Sequence, residues 1–163
     1  MRKSSWVAAA ALSACAALAC AAHADDAAPE PLSAFPQSLL AIRTTAGNVV
    51  NFKIWTADTP RREEQGLMFI RELDEHAGML FAFPGNQQPT MWMKNTYIPL
   101  DLLFIDARGR INYIAAQATP LSLTVIQSPN PSSAVLELKG GACDQLGIKI
   151  GDTVVYSIFH NTN

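Results

Sequence analysis

The sequence has few cysteines, no excess of basic residues, and none of the short motifs of the common enzyme classes. Of its 163 residues three are cysteine, and 12 basic residues face 14 acidic ones. It contains no G-x-S-x-G, no H-E-x-x-H, no phosphate-binding loop and no dinucleotide-binding pattern. These absences argue against the best-known hydrolases, metalloproteases and nucleotide-binding enzymes. Enzymes built from dispersed residues stay open.

The first 24 residues have the pattern of a bacterial signal peptide. Arg2 and Lys3 form a basic start, the run from Trp6 to Ala22 is almost wholly apolar, and Ala22-His23-Ala24 fits an A-x-A cleavage site. The apolar run is short for a membrane span, which needs roughly 20 residues. We therefore predict cleavage near Ala24, no stable transmembrane segment afterwards, and a periplasmic or secreted protein of the bacterial envelope.

The same segment has a second interpretation as a lipoprotein signal. Leu12-Ser13-Ala14-Cys15 resembles a lipobox, in which the cysteine is lipidated after cleavage. However, the apolar run before Cys15 is short and continues past that residue. Simple secretion is the prediction, and a lipoprotein anchored at Cys15 is the alternative.

Cleavage would change both the cysteine content and the charge. Cys15 and Cys20 would leave with the leader, so Cys143 would have no partner for an internal disulfide. Without Arg2 and Lys3, ten basic residues would face 14 acidic ones, a net charge of −4. Such a chain, without a basic stripe, is not expected to bind nucleic acid. Cys143 itself is predicted to be a small buried apolar residue and not a nucleophile.

The rest of the chain has the pattern of one β-rich domain. Residues 25–36 mix alanine, proline and acids and are predicted to form a flexible linker. Short alternating or apolar runs, bounded by turn residues, recur through residues 37–160, and residues 161–163 form a tail. The pattern predicts a mainly β fold, a compact barrel or sandwich of seven or more short strands with one or two short helices.

Two local signals are specific enough to predict where a helix and a hairpin lie. Thr59, Pro60 and Gly66 are residue types expected at the start and the end of a short helix, which would cover residues 60–65. Asp106-Ala107-Arg108-Gly109 lies between two apolar runs and is typical of a hairpin turn.

Several unusual short motifs follow one another between Arg62 and Asp106. They are Gln65-Gly66-Leu67-Met68, Gly78-Met79-Leu80-Phe81, Trp92-Met93-Lys94-Asn95-Thr96, Ile98-Pro99-Leu100-Asp101 and Phe104-Ile105-Asp106, with Leu136-Glu137-Leu138 and Gly151-Asp152 later. This set resembles the domain of unknown function 192 family over roughly Asn48 to Tyr156. The resemblance implies a compact β-rich domain with one short helix, often exported, and it brings no established reaction or ligand. This sequence departs from the family pattern at Gln65, where family members often have arginine.

The segment from Trp92 to Asp101 concentrates the groups that a small ligand would need. Trp92 offers an aromatic platform, Lys94 a cation, Asn95 an amide and Asp101 a carboxylate. The same residues can instead serve the fold as a strand end, a turn and a Lys94–Asp101 ion pair. Both interpretations stay open, and we predict that a small-ligand site, if the protein has one, lies here.

Glu137 adds a further candidate, inside the apolar run Val135–Leu138. It would be solvated if it points outward, and part of the ligand site if it is buried. If Asp101 and Glu137 met, they would form an acid–base pair. The preferred hypothesis is a non-catalytic module that binds a small molecule or an envelope ligand, or serves as an accessory module. The alternative is a small hydrolase or lyase that uses Asp101 and Glu137.

Methionine suggests a third, minor hypothesis. Met91 and Met93 would share one face of a strand, and thioethers favour Cu(I). Core packing is the preferred explanation for both residues. His76 and His160 lack the spacing of zinc ligands. We predict no metal and no cofactor, and we leave the oligomeric state open.

Overall fold

The computed structural model of the protein describes residues 28–162, apart from the side chain of Asn86. The predicted signal peptide over residues 1–24 lies outside the described residues. Within residues 28–162, no helix has the length and apolarity required to cross a membrane. The strands and α-helices of this part are β1 (Gln37–Arg43), β2 (Val49–Ala57), α1 (Pro60–Gln65), β3 (Ala77–Gln87), β4 (Thr90–Met91), β5 (Leu100–Ile105), β6 (Ile111–Ala118), β7 (Ile126–Gln127), β8 (Ser132–Lys139), α2 (Ala142–Gln145) and β9 (Thr153–Val155).

Seven strands form one sheet in the order β6-β5-β8-β3-β2-β1-β9, and β4 pairs with β7 in a small second sheet. Neighbours in the large sheet are antiparallel except β2 and β3, which are parallel. The sheet curls into a half-barrel, and a bridge between Arg110 and Thr153 links its two edges. At this bridge, the two edges pair backbone groups that open edges would leave unpaired. The predicted mainly β fold with two short helices is confirmed.

The parallel pair of β2 and β3 requires a crossover connection, because a tight hairpin can join only antiparallel strands. The helix of this crossover, α1, lies where the sequence predicts it. The Thr59 hydroxyl oxygen accepts a hydrogen bond from the N–H of Arg62 at 3.3 Å, and Pro60 occupies the first turn. After Gly66 the chain lies across one face of the sheet, where Leu67 and Leu73 are buried.

Apolar residues cover both faces of the large sheet in two clusters. Leu103 and Ile105 of β5 belong to the first cluster, and Leu102 and Phe104, which alternate with them, belong to the second. We call these the first and the second core face. The crossover covers the second core face. Because both of its faces are buried, β5 consists of apolar residues apart from Asp101.

Residues 28–36, which belong to the predicted flexible linker, pack against the domain. Phe35 is buried in the second core face. The backbone N–H of Glu30 donates to Gln65 Oε1 at 2.7 Å, and Gln65 Nε2 donates to the Glu30 carbonyl oxygen at 2.8 Å. Arg62 forms an ion pair with the Glu30 carboxylate at 3.0 Å. Residues 28–36 are therefore packed against the domain, with an amide contact at Gln65.

The C-terminal boundary also lies beyond the predicted one. Asn161, placed in the predicted tail, accepts a hydrogen bond from the N–H of Tyr156 at 3.0 Å and donates to the Val154 carbonyl oxygen at 2.9 Å. These bonds secure the 3₁₀ turn Ser157–Phe159, which follows β9. The folded domain therefore includes Asn161.

Candidate functional site

A glutamate on the second core face has a carboxyl oxygen without a hydrogen-bond partner. Glu137 of β8 lies directly opposite Met79 of β3 and Leu102 of β5. The residue is 4% exposed, and its Oε2 has no hydrogen-bond partner among the described residues. Because burial among apolar neighbours disfavours the charged form, it raises the pKa of Glu137 to about 8. The solvated, outward orientation that the sequence left open is thereby excluded.

Glu137 lines a pocket of about 60 Å³ between the crossover and the segment around β4. The other lining residues are Glu63, Glu64, Gln65, Gly66, Leu67, Met68, Phe81, Thr90, Met91, Trp92 and Thr96. A cavity of this size holds a few water molecules or the head group of a ligand, and it is smaller than the pockets that enclose drug-sized molecules. A ligand would therefore place only one small polar group inside.

Gly66 lies against the carboxyl group of Glu137 in this pocket. A Cβ atom at position 66 would lie 3.7 Å from Glu137 Oε2 and 3.0 Å from Cζ of Phe81. The residue also has a φ of +50°, which L side chains rarely adopt. Both the backbone and the space therefore favour glycine at this point.

The two other buried carboxylates of the described chain have partners. Asp101 accepts hydrogen bonds from the backbone N–H groups of Gln117 at 2.8 Å, Gly141 at 3.0 Å and Cys143 at 2.9 Å. Asp152 accepts from the N–H groups of Thr45 and Lys149, both at 2.7 Å. These carboxylates join distant loops and serve the fold, whereas Glu137 has no such role.

The predicted acid–base pair of Asp101 and Glu137 is not assembled. Asp101 lies opposite Leu138 in the β5–β8 register, and Glu137 lies opposite Leu102. Because directly opposed residues share a face and neighbours along a strand alternate, the two carboxyl groups point to opposite faces of the sheet. The hypothesis of a hydrolase or lyase that uses this pair is therefore wrong in its geometry.

The predicted ligand segment is only partly assembled at the pocket. Trp92 lines it and is 43% exposed, while Lys94 Nζ lies 5.1 Å from the centroid of the Trp92 ring. Asn95 has a φ of 53° and its carbonyl oxygen accepts from the N–H of Phe69, so it shapes a turn. The Lys94–Asp101 ion pair is not among the ion pairs of residues 28–162. Of the five candidates, Trp92 and Glu137 line the pocket and Lys94 lies beside it.

Four residues that line the pocket were not predicted as ligand residues from the sequence. They are Glu63 and Glu64 of α1 in the crossover, Phe81 of β3 and Thr90 of β4. One signal was available, since the motif Gln65-Gly66-Leu67-Met68 was among the family-like motifs. Its nearness to Glu137 depends on the parallel crossover, which local patterns do not reveal.

Met91 and Met93 both pack on the second core face. Met93 is fully buried, and Met91 is half-buried. Strand alternation does not relate them, because β4 ends at Met91. Among the described residues, no group of three or more His, Cys, Asp or Glu is placed to hold a metal ion. Packing accounts for both thioethers, as methionine commonly fills irregular cores.

Cys143 is buried at the start of α2, as predicted. Burial and the neighbouring Asp101 carboxylate raise the pKa of the Cys143 thiol well above its usual range. Because the thiolate is the nucleophilic form, this environment makes the thiol unreactive.

The fold and the site together define a class of protein: a small half-barrel domain whose crossover covers a buried, unpartnered glutamate. Residues 41–156 match the family DUF192, described as "Uncharacterized ACR". The chain belongs to this family, which confirms the resemblance seen in its motifs. No curated protein matches the chain.

Two solved structures share the fold. One, from Sinorhizobium meliloti 1021 and described as a "putative transcription regulator", is 38% identical, with 74% of this chain and 93% of that chain covered and a TM-score of 0.72. The other, a protein of unknown function from Novosphingobium aromaticivorans, is 37% identical, with 81% and 95% covered and a TM-score of 0.73.

Proposed function

We propose that the chain is an exported envelope protein whose domain binds a small ligand through a positively charged nitrogen, in the pocket beside Glu137. The observation that carries this proposal is the buried Glu137 Oε2, which lacks a hydrogen-bond partner among the described residues. A buried polar atom without a partner costs free energy, and a buried charge costs more. A ligand that donates a hydrogen bond and a positive charge would remove that cost.

The lining of the pocket supports a cationic group. Glu63, Glu64 and Glu137 are the acidic residues of the lining, whereas no lysine or arginine lines the described pocket. Trp92 contributes an indole ring at the same place. Cationic ligands are attracted to the faces of tryptophan. Because Lys94 Nζ lies over one face of Trp92, 5.1 Å from the ring centroid, a ligand would contact the other face. The supported ligand class is therefore a primary amine, which carries both a positive charge and N–H donors, and whose body stays outside the pocket.

Small amines are expected to raise the melting temperature of the wild-type protein and to give a measurable heat of binding. Methylammonium and ethanolamine are suitable probes for titration calorimetry. Glu137→Gln keeps the shape of the side chain but removes its charge, so it is expected to abolish binding. Glu64→Gln changes an exposed carboxylate at the mouth and is expected to change the affinity by no more than about fivefold, as for an exposed ion pair.

The binding proposal fails if the wild type binds none of these amines, or if Glu137→Gln binds them equally well. The pH dependence gives a second check on the ligand class. Below about pH 8 Glu137 is protonated, so binding a cation requires loss of that proton. The affinity is then expected to rise toward pH 8 by up to about tenfold per pH unit. The affinity for a neutral ligand that accepts a hydrogen bond from the protonated group would instead stay constant below about pH 8 and fall above it.

Export is supported by the basic start, the apolar run and the A-x-A pattern of residues 1–24. Mass spectrometry of the native protein is expected to find an N-terminus at Asp25 in the periplasmic or secreted fraction. A diacylglyceryl group on Cys15 would replace this proposal by the lipoprotein alternative, and an intact Met1 in the cytoplasm would refute both.

Two other functions receive less support. The structure does not assemble Asp101 and Glu137 into a catalytic pair, as described above. Transcription regulation, the description given to one relative, would involve DNA, whose binding depends on neutralising phosphates with basic residues. The net charge of −2 does not support that mode of binding.

A further inference from the structure

An exposed apolar surface lies beside the mouth of the pocket. We define the apolar rim as Phe69, Trp92, Tyr97, Leu121, Leu123 and Val125, which are between 39% and 68% exposed. The three aliphatic residues are more than half exposed, at 56%, 68% and 61% in chain order. A contiguous apolar surface of this kind usually marks a site of interaction.

Backbone hydrogen bonds hold the three segments of the apolar rim side by side. The N–H of Phe69 donates to the carbonyl oxygen of Asn95 at 2.9 Å, and the N–H of Leu121 donates to that of Thr96 at 3.1 Å. The rings of Phe69 and Tyr97 contact each other edge to face, with centroids 6.3 Å apart. The three segments that carry the rim therefore lie side by side, although they are separate stretches of chain.

The charges within the apolar rim have one sign. Arg71 and Lys94 are the only charged residues in segments 67–71, 91–97 and 119–127. The Arg71 guanidinium lies 4.7 Å from the centroid of the Tyr97 ring, and Lys94 Nζ lies 5.1 Å from that of Trp92. The nearest acids in the chain, Glu64 and Glu72, flank the first of these segments. The rim thus combines exposed aliphatic residues, aromatic residues and two cations in a chain that is acidic as a whole.

We propose that the apolar rim docks on a lipid bilayer with anionic headgroups. Leu121, Leu123 and Val125 would enter the boundary of the acyl chains, where apolar area leaves water. Trp92 and Tyr97 would lie at headgroup level, which such amphipathic rings favour. Arg71 and Lys94 would contact lipid phosphates, an attraction that acts over about one Debye length and so depends on local charge.

Quenching of Trp92 by brominated lipids tests this docking directly. The chain has three tryptophans, and Trp6→Phe with Trp55→Phe leaves Trp92 alone. Trp55→Phe loses no hydrogen bond, because Trp55 Nε1 has no partner among the described residues. In this background, vesicles of brominated phosphatidylcholine with phosphatidylglycerol are expected to quench Trp92, and vesicles without phosphatidylglycerol are expected to quench it less. Because the readout lies in the rim, attachment through the N-terminal run alone would leave Trp92 unquenched.

Leu123→Ser with Val125→Ser is expected to weaken the partition into these vesicles by about tenfold or more, since two large apolar side chains no longer leave water. Leu39→Ser with Val49→Ser is the matched control, because both residues are exposed but lie outside the rim. The docking is refuted if no vesicle quenches Trp92, or if the control variant loses as much vesicle partitioning as Leu123→Ser with Val125→Ser. It is also refuted if light scattering finds an oligomer which Leu123→Ser with Val125→Ser dissociates, since the rim would then bind protein. Neither Leu123 nor Val125 lines the Glu137 pocket, so the two substitutions should leave amine binding unchanged. Membrane docking and amine binding can therefore be tested separately.

Discussion

Asp101→Ala is expected to lower the free energy of unfolding by about 3–5 kcal/mol, because three backbone N–H groups lose one charged acceptor. The carboxylate is fully buried and binds the N–H groups of Gln117, Gly141 and Cys143. These bonds attach the end of β6 and the start of α2 to strand β5. Alanine would leave these donors without a partner and open a small cavity between the segments. Urea unfolding followed by circular dichroism measures the change.

Two variants make the Asp101 experiment specific. Asp101→Asn keeps an acceptor for Gln117 and Gly141 but turns an amide N–H toward the N–H of Cys143, so an intermediate loss is expected. Asp144→Ala, at an exposed position in the adjacent helix, is expected to change stability by no more than about 0.5 kcal/mol. If Asp101→Ala unfolded at the same urea concentration as Asp144→Ala, the carboxylate would not hold these loops together.

Glu137→Gln is expected to stabilise the ligand-free protein, increasingly as the pH rises. The pKa of the carboxyl group is raised by burial from an ordinary value of 4.5 to about 8 in the folded protein. Below pH 4.5 the carboxyl group is protonated in both the folded and the unfolded chain, so its ionisation has no effect on stability. Between these values only the unfolded chain ionises, so stability falls as the pH rises, and above pH 8 it levels off. The whole loss amounts to at most about 5 kcal/mol.

The measured quantity is the difference in unfolding free energy between Glu137→Gln and the wild type from pH 4.5 to pH 9. This difference should start near zero and grow by up to about 1.4 kcal/mol per pH unit. Glu64→Gln, at an exposed position, should show a small difference that does not grow in this way. A flat difference for Glu137→Gln would mean that the carboxyl group has a partner or solvent in the folded protein. A growing difference would identify a residue that weakens the free protein, as expected of a group kept for a ligand.

Local sequence patterns determined the class of the fold and several of its elements. Helix α1 follows from Thr59 and Pro60, which satisfy the needs of a helix start within a few residues. The β5–β6 hairpin follows from Asp106 to Gly109, where glycine adopts a φ of +84° and the Asp106 side chain accepts the N–H of Arg108. The alternation and short length of the apolar runs predicted strands. Each of these signals acts between neighbours in the chain, so sequence alone carries it.

Tertiary structure decided the roles of the acidic residues. Asp101 and Glu137 both lie within apolar runs, and from the sequence each was equally a candidate to bind a ligand or to catalyse a reaction. The β5–β8 register places the two residues on opposite faces of the sheet. The N–H donors of Asp101 come from the end of β6 and the start of α2, which only the tertiary fold brings next to it. The parallel crossover then brings Gly66 within reach of Glu137 and creates the pocket. Register and crossover join residues distant in the chain, so the partners of a buried carboxylate cannot be determined from its neighbours in sequence.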